Sequence, residues 1–146
     1  MTERLFLDTN VWVYAVDRTA PAKHSTARAL LQPTPEAGVV VSPQVLSEFF
    51  AGVTRELTDQ VPVAEAREMV TQMSRLPVVP IDARLVEAAI TGTEVWQLSY
   101  WDALIIVDAQ SSGCRRVLSE DMAHGAVYGS VQVDNPFRAS EVAPAG

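Results

Sequence analysis

Short apolar runs alternate along this chain with longer stretches in which apolar residues recur every three or four positions. The runs predict buried strands, and the longer stretches predict helices packed against them. We predict strands at residues 4–7, 39–41, 76–81, 116–118 and 131–133. Pro77 and Pro80 place the third of these at a sheet edge or a strand end, because proline has no backbone N–H to donate.

Helices are predicted between these strands, and several have a recognisable start. We predict them at residues 11–16, 22–31, 43–57, 63–74, 83–93 and 100–111. Ser42-Pro43, Asp82 and Ser99 are residue types that favour the start of a helix. Strands that alternate with helices of this length predict an α/β fold with a central, mostly parallel sheet of four to five strands flanked by helices. We expect a single domain over residues 1–138 and a frayed tail over 139–146.

Composition is that of an ordinary globular protein, with 48% hydrophobic and 20% charged residues among 146. The start, Met1-Thr2-Glu3-Arg4, lacks the apolar segment of a signal peptide. No apolar run approaches the roughly 18 residues of a membrane span. Cys114 is the only cysteine, so no disulfide is expected. Together these features predict a cytoplasmic protein that does not associate with membranes.

The net charge limits the kinds of nucleic-acid binding that are plausible. At −7, it argues against a protein that binds nucleic acid through a broad basic face. It does not exclude a nuclease, because bound metal ions can contact phosphate in place of many lysine side chains.

Four acidic residues are the most informative feature, since each lies where an apolar run meets a helix or a loop. They are Asp8, Glu48, Asp102 and Asp121. Carboxylates are costly beside buried apolar segments unless their charge is compensated. A hard divalent cation with oxygen ligands, such as Mg²⁺ or Mn²⁺, would compensate them. In an open α/β sheet such sites form at the carboxyl ends of the strands.

Each carboxylate also has an ordinary structural explanation. Asp8 could cap the helix that follows it, and Ser99-x-x-Asp102 resembles a capping box with Asp in place of Glu. Glu48 falls beside the apolar stripe of its helix, where a solvated residue is usual, and a loop carboxylate such as Asp121 is usually solvated. The four are therefore persuasive only in combination.

Two further features are interpreted as structural. Asp108 lies six residues after Asp102, which is roughly 240° around a helix, so the two cannot share a face. Trp12 and Trp101 lie in apolar segments, and we interpret both as core residues and not as platforms for base stacking.

The segments around the four acidic residues resemble those of the PIN-domain ribonucleases, among them the VapC toxins of bacterial toxin–antitoxin pairs. The resemblance covers nearly the whole chain. It rests on Leu7-Asp8-Thr9-Asn10, Ser42-Pro43-Gln44-Val45-Leu46-Ser47-Glu48-Phe49, Leu98-Ser99-Tyr100-Trp101-Asp102-Ala103-Leu104-Ile105 and Leu118-Ser119-Glu120-Asp121-Met122. The first and third of these segments are specific together and weak separately.

The resemblance implies a three-layer PIN-like fold and an endoribonuclease that depends on Mg²⁺, for which Mn²⁺ may substitute. It implies that Asp8, Glu48, Asp102 and Asp121 are the catalytic and metal-binding positions. Thr9, Asn10 and Ser119 would support these ligands or hydrogen-bond the substrate. It also implies a cognate antitoxin as partner and a homodimeric protein that acts on RNA.

Other classes of protein fit the sequence less well. A haloacid-dehalogenase-type phosphatase needs a second Asp where this chain has Asn10, and it needs a late lysine, as does a response-regulator receiver. Lys23 is the only lysine. A Rossmann dinucleotide binder needs a glycine-rich turn after the first strand, and residues 8–13 contain no glycine. The alternative that stays open is a non-catalytic PIN-like module that binds RNA or protein.

Overall fold

The computed structural model describes residues 3–32 and 37–141. Strands and helices alternate in the order that the sequence predicts for the first half of the chain. The strands are β1 Glu3–Leu7, β2 Ala37–Val40, β3 Arg116–Leu118, β4 Val127–Tyr128 and β5 Val131–Asp134. The helices are α1 Thr9–Tyr14, α2 Pro21–Leu30, α3 Pro43–Glu56, α4 Val63–Met73, α5 Ala83–Trp96, α6 Tyr100–Ser111 and α7 Arg138–Glu141.

Over residues 3–32 and 37–141 the sheet has five strands in the order β2-β1-β3-β5-β4. The first four of these are parallel, and β4 runs antiparallel to its partner β5. Leu5, Phe6 and Leu7 of β1 are all buried. Because successive strand residues point to opposite faces, both faces of the sheet must be covered. The predicted α/β architecture of a mostly parallel sheet flanked by helices is confirmed.

Most helices begin at the residues that the sequence indicates. The side chains of Asp8, Ser42, Asp82 and Ser99 each accept a hydrogen bond from a backbone N–H in the first turn of α1, α3, α5 and α6, respectively. These bonds satisfy donors that a helix start leaves without partners. The caps of α1, α3 and α6 bear on three of the acidic residues, because Asp8 is itself the cap of α1 while Glu48 and Asp102 lie within α3 and α6.

The strand predicted at residues 76–81 is wrong. This segment makes only an isolated bridge between Val78 and Val41, with Val41 N donating to Pro77 O at 3.0 Å and Val79 N donating to Val41 O at 2.8 Å. Pro77 and Pro80 have no N–H with which to extend that pairing. The edge position was right, but the prolines prevent a continuous strand.

The sheet instead gains β4, a strand that was not predicted and that forms a hairpin with the predicted strand β5. Tyr128 and Val131 pair across a turn containing Gly129, whose φ is +61°. Near the carboxyl terminus, residues 139–141 of the predicted frayed tail belong to α7, and residues 142–146 lie outside the described residues. None of the described helices combines the length and the hydropathy that a transmembrane span requires.

Candidate active site

Two of the predicted acidic residues meet because β1 and β3 are neighbours in the sheet. Leu7 pairs with Leu118 at the carboxyl ends of these strands. The next residue after β1, Asp8, donates its backbone N–H to Leu118 O at 2.9 Å. The loop after β3 then brings Ser119 and Asp121 to the same edge. This is the edge at which parallel α/β sheets place their sites.

A hydrogen-bond network joins this loop to the start of α1. Ser119 Oγ donates to Asp8 Oδ2 at 2.8 Å, and the Asp121 backbone N–H donates to Ser119 Oγ at 3.1 Å. Asn10 Nδ2 lies 3.1 Å from Asp121 Oδ2, 3.3 Å from Ser119 Oγ and 3.5 Å from Asp8 Oδ2. Asn10 and Ser119 therefore hold two carboxylates in a fixed relation to each other.

Glu48 reaches the cluster from the second turn of α3. Thr9 Oγ1 donates to Glu48 Oε2 at 3.0 Å, while the Thr9 backbone N–H donates to Asp8 Oδ1 at 2.8 Å. Gln44, one turn earlier in α3, donates its Nε2 to Glu48 Oε1 at 2.9 Å. Thr9 thus connects Asp8 with Glu48, and Gln44 is a supporting residue that the sequence analysis did not identify.

Asp102 enters from the first turn of α6. Its backbone N–H donates to Ser99 Oγ at 3.2 Å, which is the half of the predicted capping box that the Ser99 side chain makes. Burial raises the pKa of Asp102, a hydrogen bond with Ser99 lowers it, and the negative charges of Asp121 and Glu48 raise it. Capping and membership of the cluster are therefore compatible, and all four predicted acidic side chains lie at one place.

Asp8 is the most deeply placed of the four, with 6% of its surface exposed. Burial is the main reason that the pKa of its carboxyl group is raised to about 6. Hydrogen bonds from Ser119 and the Thr9 amide oppose that rise, and the charges of Asp121 and Glu48 add to it. The carboxylate form of Asp8 is therefore short of compensating positive charge.

No lysine or arginine of the described residues forms an ion pair with any of these four carboxylates. A cation is the natural missing partner of such a cluster. Within the described residues, no three Asp, Glu, His or Cys side chains are arranged to surround one ion as they stand. Mg²⁺ commonly binds through one or two carboxylates and keeps several water molecules. The donor set therefore fits a hydrated divalent ion better than an all-protein cage.

Glu120, which the sequence analysis passed over, anchors the loop that carries Asp121. Its carboxylate accepts from Tyr14 Oη at 2.6 Å and from Lys23 Nζ at 2.8 Å. Its backbone N–H points to Asn10 Oδ1 at 3.4 Å. Lys23, the only lysine of the chain, is held in this ion pair with Glu120. No spacing rule would have joined residues so far apart in sequence.

Replacing Glu120 with glutamine is expected to lower the free energy of unfolding by about 1–2 kcal/mol, since charged hydrogen bonds in a part-buried pair are stronger than exposed ones. Urea denaturation measures this change. The matched control is Glu56→Gln, because the Glu56–Arg55 pair is exposed and joins neighbouring residues. Equal free-energy changes in the two variants would show that Glu120 does not anchor the loop.

One aromatic residue contradicts its prediction. Trp12 is buried, as expected, but Trp101 is 61% exposed beside the cluster. Trp101 lies at the second position of α6. The apolar character of its segment comes from the residues that follow it, 103–107, and these are the ones that are buried. The apolar neighbourhood in sequence was therefore a poor guide to this one side chain.

Known structures share this fold. VapC20 of Mycobacterium tuberculosis is 23% identical, with a TM-score of 0.64 over 80% of this chain and 91% of that chain. A toxin–antitoxin complex from Klebsiella pneumoniae is 16% identical, with a TM-score of 0.63 over 90% and 97%. VapBC2 from Rickettsia felis, bound to a DNA fragment from its promoter, is 18% identical, with a TM-score of 0.62 over 90% and 98%. At such identities the likeness establishes the fold.

Sequence comparison gives the family. No functionally curated protein matches the chain. The family model of the PIN domain, however, matches residues 5–129. That range contains all four acidic residues of the cluster together with Thr9, Asn10 and Ser119, and it spans β1 to β4. The chain belongs to the PIN-domain family.

Proposed function

We propose that this protein is a metal-dependent endoribonuclease and the toxin of a toxin–antitoxin pair. The observation that carries the proposal is the cluster of Asp8, Glu48, Asp102 and Asp121 at the carboxyl edge of the sheet. Four carboxylates without a cationic partner among the described residues suit a site built to recruit Mg²⁺ or Mn²⁺.

The four carboxylates take different roles in this proposal. Asp8 and Asp102 are the principal metal ligands, because they approach from two helix starts and burial raises the pKa of each. Asp121 and Glu48 complete the ion's surroundings, hold a second ion or orient the attacking water. When bound, such an ion activates water and stabilises the charge of the phosphate and the leaving oxygen.

The polar neighbours act by positioning these ligands. Thr9 holds Asp8 and Glu48 through two hydrogen bonds, and Ser119 holds Asp8. Asn10 contacts Asp121 with its amide group. Each of these groups fixes the direction of a carboxylate oxygen, which is the usual task of residues around a metal site. Asn10 also presents an amide at the cluster that could contact a phosphate oxygen.

The choice of RNA and of partner is supported by the proteins that share the fold. VapC20 is described as a toxin that cleaves the sarcin–ricin loop, and the Klebsiella pneumoniae structure is a toxin–antitoxin complex. We propose RNA as substrate, an antitoxin as inhibitor and a homodimer as the active form. A segment of the antitoxin that crosses the crevice with a basic side chain would neutralise the carboxylates and block substrate.

Cleavage of total cellular RNA by the purified, partner-free protein tests the proposal. We expect discrete fragments with Mg²⁺ or Mn²⁺ and none with EDTA, because the carboxylates cannot activate water without an ion. Mapping the fragment ends identifies the target. A folded protein that binds RNA but cuts none of it with either metal would instead be a non-catalytic PIN-like binding module.

A further inference from the structure

An exposed tryptophan stands beside the carboxylate cluster. Trp101 immediately precedes Asp102 in α6, and its backbone carbonyl accepts a hydrogen bond from Gln44 Nε2 at 3.3 Å. Its ring meets that of Tyr100 edge to face, with centroids 5.0 Å apart and planes at 77°. An indole left in water forgoes the burial that usually stabilises so large an apolar side chain. The exposure of Trp101 therefore indicates that its side chain contacts a molecule outside the chain.

Next to Trp101 a cleft of about 640 Å³ opens between α3 and α6. Gln44, Glu48, Tyr100, Trp101 and Leu104 are among the residues that line it. Glu48 belongs both to this cleft and to the carboxylate cluster, since its Oε1 is held by Gln44 and its Oε2 by Thr9. A chain bound at the cluster can therefore continue directly into the cleft.

The charge of the cleft indicates which part of a nucleotide fits there. None of its lining residues is a lysine or an arginine, and Glu48 gives it a negative charge. A phosphate would be repelled at this place, whereas an uncharged flat base would find an aromatic surface to stack on. The cleft thus complements the base, and the neighbouring cluster with its ion complements the phosphate.

Gln44 supplies a polar group for the same ligand. It is 8% exposed, and its Nε2 donates to Glu48 and to the Trp101 carbonyl, which fixes the orientation of the amide. Its Oε1 is buried and has no hydrogen-bond partner among the described residues. A buried acceptor of this kind is costly until a donor reaches it. The N–H groups on the edge of a base are suitable donors.

We propose that Trp101 and the cleft beside it bind one unpaired base of the RNA strand whose phosphate lies at the carboxylate cluster. This inference rests on the proposed function and adds a substrate class to it. Single-stranded and looped RNA can splay a base onto an aromatic side chain, and a paired helix cannot do so without unstacking. The enzyme would therefore cut where an unstacked base adjoins the scissile phosphate.

The test uses an RNA oligonucleotide that carries the mapped cleavage site, together with a series in which one nucleotide at a time is made abasic. For the wild type, one abasic position beside the cut should lower kcat/KM by about 5- to 150-fold, which corresponds to the loss of one stacking contact between a base and an aromatic side chain. Trp101→Leu should show that loss with the intact RNA and no further loss at that position. Trp101→Phe, which keeps an aromatic face, should retain most of the activity.

Val95→Ala is the matched control, since Val95 is an exposed apolar residue of α5 away from the cleft, and it should match the wild type throughout. The inference is overturned if Trp101→Leu has the wild-type abasic profile. It is also overturned if that variant loses activity equally at every position while the homodimer dissociates, because Trp101 would then contact a second copy of the chain.

Failure of the proposed function gives a different pattern. If the wild type cuts no RNA with either metal, binding of a short mixed-sequence single-stranded RNA is followed by tryptophan fluorescence in EDTA. Quenching that is present in the wild type and lost in Trp101→Phe supports the base site without nuclease activity. Quenching that is equal in both proteins, or absent in both, overturns it.

Discussion

Replacing Asp8 with asparagine is expected to abolish metal-dependent RNA cleavage, with kcat at least about a thousandfold lower, because several kilocalories per mole of transition-state stabilisation depend on the bound ion. Asp8 is the most buried member of the cluster and is held by Ser119 and the Thr9 amide. The amide oxygen of asparagine can still accept from the Thr9 N–H, so α1 keeps its cap. The change removes the charge and little else.

The same substitution should not destabilise the metal-free protein. An aspartate in an unfolded chain has a pKa of about 3.9, whereas burial raises the pKa of Asp8 to about 6 in the fold. Folding therefore takes up a proton between these values, and the free energy of unfolding of the wild type falls as pH rises through that window. Asparagine does not titrate, so at about pH 8 the variant should be at least as stable as the wild type.

Three measurements separate loss of chemistry from loss of fold. RNA cleavage should disappear in Asp8→Asn, urea denaturation in EDTA should show no loss of stability, and added Mn²⁺ should stabilise only the wild type. Asp59→Asn makes the same chemical change at an exposed position between α3 and α4 and should behave as the wild type. If Asp8→Asn cleaved RNA at the wild-type rate, Asp8 would not be part of the catalytic site.

The positions of the acidic residues could be predicted because they depend on local rules. Asp8 follows a strand and caps a helix, and Asp102 follows a capping serine. Such signals also have purely structural explanations, and the structure shows that a structural role does not exclude a place in the cluster: Asp8 and Asp102 take part in helix starts and also lie near the other carboxylates. Capping of a helix and membership of the carboxylate cluster are therefore compatible, and metal binding by Asp8 and Asp102 stays a prediction.

The contacts between distant segments could not be predicted in this way. The anchoring of Glu120 by Tyr14 and Lys23 joins residues about a hundred positions apart, and no periodicity encodes such a contact. The exposure of Trp101 also depends on how α6 packs, since the apolar run after it is buried while its own side chain points to solvent. Local pattern gives the elements, and tertiary packing decides which side chains stay accessible.

The hairpin of β4 and β5 is a different kind of omission, because its signal was present in the sequence. Val127-Tyr128 and Val131 flank Gly129-Ser130, and a Gly-Ser pair between β-forming residues is typical of a two-residue turn. β4 has only two residues, which is too short for an alternating pattern to be recognised. By contrast, the prediction at residues 76–81 gave too much weight to apolar residues and too little to two prolines.

Among the described residues, Asp108 is the one buried carboxylate outside the cluster, and its substitution has the largest expected effect on stability. It is fully buried within α6, and neither of its oxygens has a hydrogen-bond partner among the described residues. Burial raises the pKa of Asp108 to about 7, with the nearby Ser42 hydroxyl lowering it and the charge of Glu48 raising it. A charge in this position opposes folding.

The sign of the pH dependence follows from these values. The pKa rises from about 3.9 in the unfolded chain to about 7 in the fold, so folding binds a proton between the two. The contribution of Asp108 to the free energy of unfolding therefore falls as pH rises from about 4 to about 7 and is constant above that. The full effect of a shift of this size is about 4 kcal/mol, an upper bound because the surroundings can relax around the charge.

Asp108→Asn keeps the size of the side chain and removes this titration. We expect the variant to match the wild type near pH 4 and to exceed it increasingly up to about pH 7, by at most about 4 kcal/mol. Urea denaturation across that range in EDTA measures the difference, and the titration of Asp8 cancels because both proteins contain it. Asp59→Asn should show no pH-dependent difference. A variant less stable than the wild type at about pH 8 would mean that the Asp108 carboxylate makes a stabilising interaction in its charged form.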